Sequence, residues 1–309
     1  MDHTTTEAGG FVPPLPFPIS RCAAPREDIR ANVLSCLERR LPELVLCNPH
    51  QLTLYVAAGG PSLKGTAHEL RTYTAAVNKA HDWLIEHGKV PQACGLLDPT
   101  DAIADQITPH RNVTYFVASM CHPSTFERLK GFRVVVWHAS SPGADVHELL
   151  PDDAIVIAGG SSMALRWRNV GYALGFRKNE FHGVDSSFED DHHVYPHAQD
   201  DGLDVVQWGG FRSHPALMCQ ASEFFKVHET FKRPGIEPTS VEVRGSGLLP
   251  TLWRQYREIE LTEQERAEAV HGRKINMEAV GVADHPEAFG LTDDDLRTNA
   301  AGPQVKQEN

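Results

Sequence analysis

The sequence has few cysteines, no long hydrophobic run and no surplus of basic residues. Its six cysteines are scattered without a C-x-x-C pair, which argues against a zinc knuckle or a disulfide framework. No apolar run approaches the roughly 20 residues that span a bilayer, and the start MDHTTTEAGG lacks the pattern of a signal peptide. The formal net charge of −12 argues against an extended nucleic-acid-binding face. We therefore expect a cytoplasmic protein with no membrane segment and no extended nucleic-acid face.

The composition is that of a globular protein. Its 309 residues are 41% hydrophobic and 23% charged, which suits one large domain with extensions. From Leu52 onward, strand-like runs alternate with helix-like runs, and this alternation predicts βαβ units and a mostly parallel sheet. We predict an α/β fold over residues 51–258, a Rossmann-like open sheet with helices on both faces.

Two extensions flank the predicted domain. Residues 1–50 read as an irregular, proline-rich arm followed by an amphipathic helix. Residues 259–309 read as an acidic helix and a solvated tail. A capping-box pattern at Thr262 and Glu265 predicts that a helix begins there.

The stretch LTLYVAAGGPSLKG is the first candidate binding element. Its strand-like run ends in four turn-forming residues, Gly59, Gly60, Pro61 and Ser62. If a helix follows, its N–H groups face the turn, and glycines let an anion such as phosphate approach the backbone. Lys64 is placed to clamp a phosphate. The stretch matches neither the G-x-G-x-x-G nor the G-x-x-x-x-G-K-[ST] fingerprint, so a plain turn is the alternative.

Residues 154–188 repeat the order of strand, glycine turn and helix. The run AIVIAGG meets a second turn, formed by Gly159, Gly160, Ser161 and Ser162. Arg166 and Arg168 lie on the helix that follows, where arginines are usually solvated. Ligands of open parallel sheets collect at the carboxyl ends of strands near the reversal of strand order. Both turns are therefore candidate walls of one site.

An acidic and histidine-rich loop follows the strand EFHGVD. It holds Asp185, Asp190, Asp191, His192, His193 and His197. Such a group can bind a metal or supply a general base, and a solvated surface loop is the alternative, favoured for Asp190 and His192. Asp185, fixed by its strand, is the predicted catalytic carboxylate, and His193 and His197 are the candidate bases.

Several of these stretches resemble the MptE-like 6-hydroxymethylpterin diphosphokinase family. They are VAAGGPSLKG, AAVNKA with Asn78, GLLDP with Asp98, AGGSSMALRWRNVGYALGFRKNEFHGVDSSF and VRGSGLLP. That family is similar to the Maf flagellin glycosyltransferases and, more remotely, to bacterial sialyltransferases that use a CMP-sugar. The resemblance covers roughly residues 52–250, and its last element points to a phage or prophage source.

The resemblance implies a nucleotide-binding fold and transfer of a nucleotide-activated group. It implies that the first turn lines the nucleotide phosphates, that the second turn forms the opposite wall, and that Asn78 contacts ribose or phosphate. Asp98 and Asp185 are the implied ligands of Mg²⁺, a hard cation that uses one or two carboxylates plus substrate phosphates. The second turn has Gly-Gly-Ser-Ser in place of a D-G-D-type turn, which leaves the exact reaction open.

Three functions stay open on this basis. The first is a Mg²⁺-assisted diphosphokinase that moves a pyrophosphoryl group from ATP to a small hydroxymethyl acceptor. The second is a glycosyltransferase that uses a nucleotide sugar and a histidine base. The third is a nucleotide-binding or scaffold protein without catalysis. The sequence does not indicate an oligomeric state.

Overall fold

The fold is built on a parallel β-sheet. The computed structural model describes residues 24–141, 143–189, 193–195 and 205–279, so the arm at 1–23 and the tail beyond 279 lie outside the description. The described strands are β1 (His50–Ala57), β2 (Thr74–Val77), β3 (Ala93–Leu96), β4 (Thr114–Ala118), β5 (Arg133–Ala139), β6 (Val156–Ile157), β7 (Phe176–His182), β8 (Val206–Trp208), β9 (Phe211–Ser213) and β10 (Ser240–Val243). Eight of them form one sheet in the order β10-β7-β1-β2-β3-β4-β5-β6, with every neighbouring pair parallel. The predicted α/β fold is confirmed.

Helices connect the strands. The described helices are α1 (Arg26–Glu38), α2 (Leu63–Thr66), α3 (Ala80–Glu86), α4 (Ala102–Asp105), α5 (Pro123–Arg128), α6 (Met163–Ala173), α7 (Pro215–Thr230) and α8 (Leu248–Ala279), with 3₁₀ turns at Ala67–Glu69 and Val146–Leu149. Within the described residues, no helix combines the length and the apolar character that a membrane-spanning segment needs. The chain divides into two units between Arg254 and Gln255. The predicted boundaries at residues 50 and 258 stay a prediction.

Successive side chains of β1 point to opposite faces of the sheet, and helices cover both. Leu54 meets α6, where a Cβ at Gly171 would lie 2.6 Å from the Leu54 side chain. Tyr55 and Ala57 point the other way and pack in a cluster with Leu63, Leu70 and Leu84 of the α2 and α3 region. The predicted helices on both faces of the sheet are confirmed by these contacts.

Three local predictions differ from the structure. The helix expected after the first glycine turn is only four residues long, since Leu63 and Leu70 both turn into the core. The strand-like run VVQW does form a strand, β8, but β8 pairs antiparallel with β9 in a separate hairpin instead of joining the predicted parallel sheet. Gly209 and Gly210, both with positive φ, form the tight turn of this hairpin. Thr262 does not begin a helix: α8 begins at Leu248, and the Thr262 hydroxyl donates to the Glu258 carbonyl.

The expectation that the arginines of α6 are solvated is wrong. Arg166 is 6% exposed and Arg168 is 1% exposed. The Arg166 guanidinium donates to the carbonyl oxygens of Ser140 at 2.8 Å, Gly160 at 2.7 Å and Ile157. These carbonyls lie at or just beyond the ends of β5 and β6, and the Ile157 carbonyl also accepts the Ser140 N–H at 2.9 Å. The arginine adds donors for buried carbonyls where strand pairing ends.

We expect Arg166→Met to lower the free energy of unfolding by about 3 kcal/mol, because it leaves three backbone carbonyls without this donor. Urea unfolding followed by tryptophan fluorescence measures the change. Arg111→Met, at an exposed arginine, is the matched control and should change stability by less than about 0.5 kcal/mol. Equal stability of the two variants would contradict the bracing role of Arg166.

Candidate functional site

The reversal of strand order lies between β1 and β7. The chain leaves β1 toward β2 and builds β3 to β6 on that side, whereas β7 returns to the other side of β1 and β10 lies beyond it. At such a switch point the loops after the two neighbouring strands diverge and leave a crevice, where ligands of open α/β sheets bind. The loops that follow β1, β7 and β10 meet at this crevice, as their contacts with Asp185 show.

Asp185 is the central side chain of the crevice and is only 3% exposed. Its Oδ2 accepts a hydrogen bond from the backbone N–H of Ser62 at 2.8 Å, and its Oδ1 accepts one from the Ser62 hydroxyl. Beside this pair, the Gly60 N–H donates to the Gly183 carbonyl at 2.8 Å. The first glycine turn is therefore fastened to the segment that follows β7.

Glycine is required where the three loops meet. A Cβ at Gly60 would lie 2.6 Å from Oδ2 of Asp185. A Cβ at Gly245 would clash with the Ser62 hydroxyl, and one at Gly247 would clash with Asp185. Gly245 also has a φ of +112°, which residues with a side chain rarely adopt. The VRGSGLLP element thus packs against Asp185 from the β10 side.

The environment of Asp185 changes its acidity. Burial raises the pKa of the Asp185 carboxyl group to about 6, although the hydrogen bonds from Ser62 act in the opposite direction, and the negative charge of Glu189 adds to the rise. A general acid or base works best with a pKa near the operating pH. A shifted carboxyl group in a switch-point crevice is a candidate functional group.

The first glycine turn holds Asp185 in this structure. The N–H groups of Gly60 and Ser62 donate to protein acceptors, and the short helix α2 adds only a small dipole at the turn. Gly59 and Pro61 complete the turn, and Lys64 is exposed on α2. Phosphate binding by the turn and by Lys64 stays a prediction.

Asn78 lies at the carboxyl end of β2, next to the first turn. It has a φ of +47°, and its side-chain Oδ1 is buried without a hydrogen-bond partner. A buried oxygen without a donor is costly, so a ligand hydroxyl at this position would be stabilising. The structure therefore fits the predicted contact of Asn78 with ribose or phosphate, which stays a prediction.

The second glycine turn follows β6, at the opposite edge of the sheet from β10. Gly159 and Gly160 have φ values of +110° and +81°. The N–H and hydroxyl of Ser161 both donate to the carboxylate of Glu223 on α7, at 2.9 and 2.6 Å. A carboxylate therefore occupies the donors of the turn that was predicted to form the second wall of the nucleotide site.

A glutamine connects the second turn to the crevice. The Gln220 side chain donates to the Ser162 hydroxyl at 2.7 Å and accepts from the Ser186 hydroxyl at 3.0 Å. Ser186 is the residue after Asp185. A single side chain, that of Gln220, therefore connects the second turn to the residue that follows Asp185, although β6 and β7 are not neighbours in the sheet.

The other predicted site residues lie elsewhere or outside the description. Oδ1 of Asp98 accepts hydrogen bonds from the N–H and hydroxyl of Thr100, at 2.9 and 2.8 Å. Asp98 follows β3, which β1 and β2 separate from β7, so the structure does not bring Asp98 and Asp185 together. His193 stacks on Tyr195, whose hydroxyl lies where a Cβ of Gly59 would be. The residues Asp190, Asp191, His192 and His197 lie outside the described residues.

Sequence reasoning missed the polar residues of α7 and the aromatic cover of the first turn. Gln220 and Glu223 are three positions apart and so share a face of α7, which was the one available signal. Polar residues at that spacing are typical of any solvated helix face. Tyr195 had no signal, because it lies in a loop and reaches the turn only through the tertiary fold.

The pKa of Asp185 predicts how stability depends on pH. In the folded protein this pKa is raised from 3.8 to about 6, so the folded state binds the proton more tightly than the unfolded state. The associated stability is present below about pH 4 and is lost as pH rises through about 6. We expect wild type to lose about 2 kcal/mol relative to Asp185→Asn between pH 4 and pH 7, measured by urea unfolding. Asp152→Asn, at an exposed site, should show no such divergence, and parallel pH profiles for wild type and Asp185→Asn would contradict the shift.

Comparison with known proteins supplies a family and a fold relative. The model of the family described as 6-hydroxymethylpterin diphosphokinase MptE-like matches residues 30–191. No curated protein matches the chain. Among solved structures the chain is similar to a Maf glycosyltransferase from Magnetospirillum magneticum AMB-1, with a TM-score of 0.51 and 14% identity. The alignment covers 76% of this chain and 41% of the glycosyltransferase, and at this identity the likeness concerns the fold.

The family's description names a diphosphokinase, which supports a nucleotide-related transferase as the kind of protein. The family match spans just over half of the 309 residues. The chain belongs to the 6-hydroxymethylpterin diphosphokinase MptE-like family.

Proposed function

We propose that this protein moves a pyrophosphoryl group from ATP to a small hydroxymethyl acceptor of the pterin type, in the crevice between β1 and β7. The observation that carries the proposal is the carboxyl group of Asp185, buried where three glycine-containing loops meet at the switch point. Membership of the family supports this chemistry over other nucleotide-dependent transfers.

The proposed transfer needs a base for the acceptor hydroxyl. The hydroxyl oxygen bonds to the β-phosphorus of ATP, the bond from that phosphorus to the α,β-bridging oxygen breaks, and AMP leaves with the electron pair. The hydroxyl proton passes to the Asp185 carboxylate. A pKa of about 6 leaves this group mostly ionised at pH 7 and still basic enough to accept a proton. The two hydrogen bonds from Ser62 fix the carboxylate in place.

The oxygen donors at this end of the sheet fit Mg²⁺. The exposed Glu189 supplies a carboxylate, which accepts a hydrogen bond from the Ser246 hydroxyl at 2.9 Å. Asp185, the proposed base, stays a predicted ligand. Mg²⁺ uses one or two carboxylates together with substrate phosphates and water, and when bound it neutralises charge on those phosphates. Asp98 stays a predicted ligand, although Thr100 occupies its Oδ1 and two strands separate it from β7.

Glycosyl transfer from a nucleotide sugar is the second candidate. Two observations favour it: the fold resembles that of a Maf glycosyltransferase, and His193, a candidate base, lies beside the first glycine turn. In that reaction His193 would take the proton of the acceptor hydroxyl, and metal would not be essential.

Release of AMP tests the proposed function. We expect AMP to form from ATP only when both Mg²⁺ and a 6-hydroxymethylpterin acceptor are present. Asp185→Asn should lower this rate by at least about a hundredfold, because general-base catalysis contributes that much, while ATP still binds. Asp152→Asn is the matched control and should keep the wild-type rate. Full activity of Asp185→Asn would refute its role as the base, and metal-independent release of a nucleotide from a nucleotide sugar would support the second candidate instead.

A variant of α7 tests the second glycine turn as a phosphate wall. Glu223 holds the donors of Ser161 with a carboxylate, which would repel a phosphate. We expect Glu223→Gln to tighten ATP binding several-fold by isothermal titration calorimetry, because it removes this charge. Glu229→Gln, farther along α7 and more than half exposed, is the control. Unchanged affinity of Glu223→Gln would place the phosphates away from Ser161.

A further inference from the structure

Three side chains outside the proposed reaction lie close together near the end of β7. They are Glu69 of the 3₁₀ turn after α2, and Glu180 and His182 of β7. One ligand atom of each lies within 4.8 Å of the other two, and no other such group of three occurs among the described residues. Glu180 and His182 are two positions apart, so they point to the same face of the sheet. Tyr55, which faces α2 and α3, lies beside the His182 ring, so this is the face opposite α6.

His182 is a buried imidazole without a hydrogen bond. Its side chain is fully buried, and neither ring nitrogen makes a hydrogen bond of acceptable geometry. The Nε2 atom of His182 lies 3.2 Å from Oε1 of Glu180, which is close enough for an ion-pair contact, but the angles at the two atoms do not fit a hydrogen bond. Buried polar groups in proteins are nearly always bonded, and one that is not bonded points to a partner such as an ion. The ring therefore offers a nitrogen donor beside two carboxylates.

The charges around His182 favour a cation. The Arg244 guanidinium donates to Glu180 at 3.0 Å and lies 3.6 Å from Glu69. Glu242 of β10 is opposite Glu180 in the sheet register and also acts on Arg244. Three carboxylates thus share one guanidinium, so the cluster carries an excess of negative charge that a bound cation would reduce.

We propose that Glu69, Glu180 and His182 bind a divalent transition-metal ion of the zinc type. An imidazole nitrogen with carboxylate oxygens is a donor set that suits Zn²⁺ and its neighbours, whereas Mg²⁺ prefers oxygen alone. The Glu69 side chain is 36% exposed, which gives an ion access from solvent. Arg244 occupies part of the space between the carboxylates and would move outward when the ion binds.

Such an ion would join the two segments that border the crevice, the one that follows β1 and the end of β7. Glu69 belongs to the segment that follows the first glycine turn, and His182 is followed directly by Gly183, whose carbonyl accepts the Gly60 N–H. The ion would fasten the same two segments that Ser62 and Asp185 fasten. The site requires no nucleotide, so the test of metal binding is independent of the test of the proposed transfer reaction.

Titration of the metal-free protein with Zn²⁺, and with Co²⁺ followed by its visible absorption, tests the site. We expect one ion per chain and a rise in melting temperature. Glu69→Gln should weaken binding by at least about tenfold, because it removes a ligand. Glu127→Gln, at an exposed glutamate on α5, is the matched control and should bind as wild type. Arg244→Gln should tighten binding several-fold, since it removes a competing positive charge.

Three results would overturn the site. One is the absence of Zn²⁺ binding by the folded protein. Another is binding that Glu69→Gln and Glu180→Gln both leave unchanged. The third is binding that persists in Glu69→Gln and disappears in His68→Ala, because it would place the ion on the exposed neighbouring histidine. Circular dichroism of each variant shows whether the fold is retained, and Glu69→Gln is the decisive variant because its side chain is at the surface.

Discussion

The two hydrogen bonds from Ser62 to the Asp185 carboxylate join residues that are 123 positions apart in the chain. They connect the turn after β1 to the loop after β7, the two strands that meet at the reversal of strand order. Because the carboxylate is buried, its donors must be provided by protein, and Ser62 provides two of them. The glycines at 60, 245 and 247 follow from this arrangement, since any side chain at those positions would occupy the space of Asp185 or Ser62.

Several carboxylates lie near the ends of the strands around the crevice. Asp185 and Glu189 lie on one side of it, Glu223 holds the second glycine turn, and Glu69 and Glu180 form the cluster beside His182. A triphosphate could approach such an edge only with cations to offset the repulsion. The proposed Mg²⁺ site would meet this need with oxygen donors alone, whereas the proposed zinc-type site, with nitrogen and oxygen donors, does not depend on the nucleotide.

Helix α6 links the edge strand β6 to the crevice. Its buried arginine, Arg166, binds carbonyls at the ends of β5 and β6, where a two-residue strand offers little pairing of its own. Its first turn is held by Ser162, and through Gln220 that residue reaches Ser186 beside Asp185. The positions of the second glycine turn and of Asp185 are therefore coupled through α6 and α7, not through neighbouring strands.

The sequence by itself determined the alternation of strands and helices, the places where strands end in glycine turns, and the position of Asp185 near a strand end. These features are local, because periodicity and turn chemistry act over a few residues. The predicted strand EFHGVD was too long, because β7 ends at His182, three residues before Asp185. The tertiary structure decided which turn contacts which carboxylate. It placed Asp185 against Ser62 and left Asp98 two strands away. It also buried Arg166 and Arg168, two charged residues that the sequence alone suggested to be exposed to solvent. It made Thr262 part of the interior of α8 instead of its start, and it placed Glu69 beside His182. Strand order brings together residues that are distant in the chain, and no local pattern records that order.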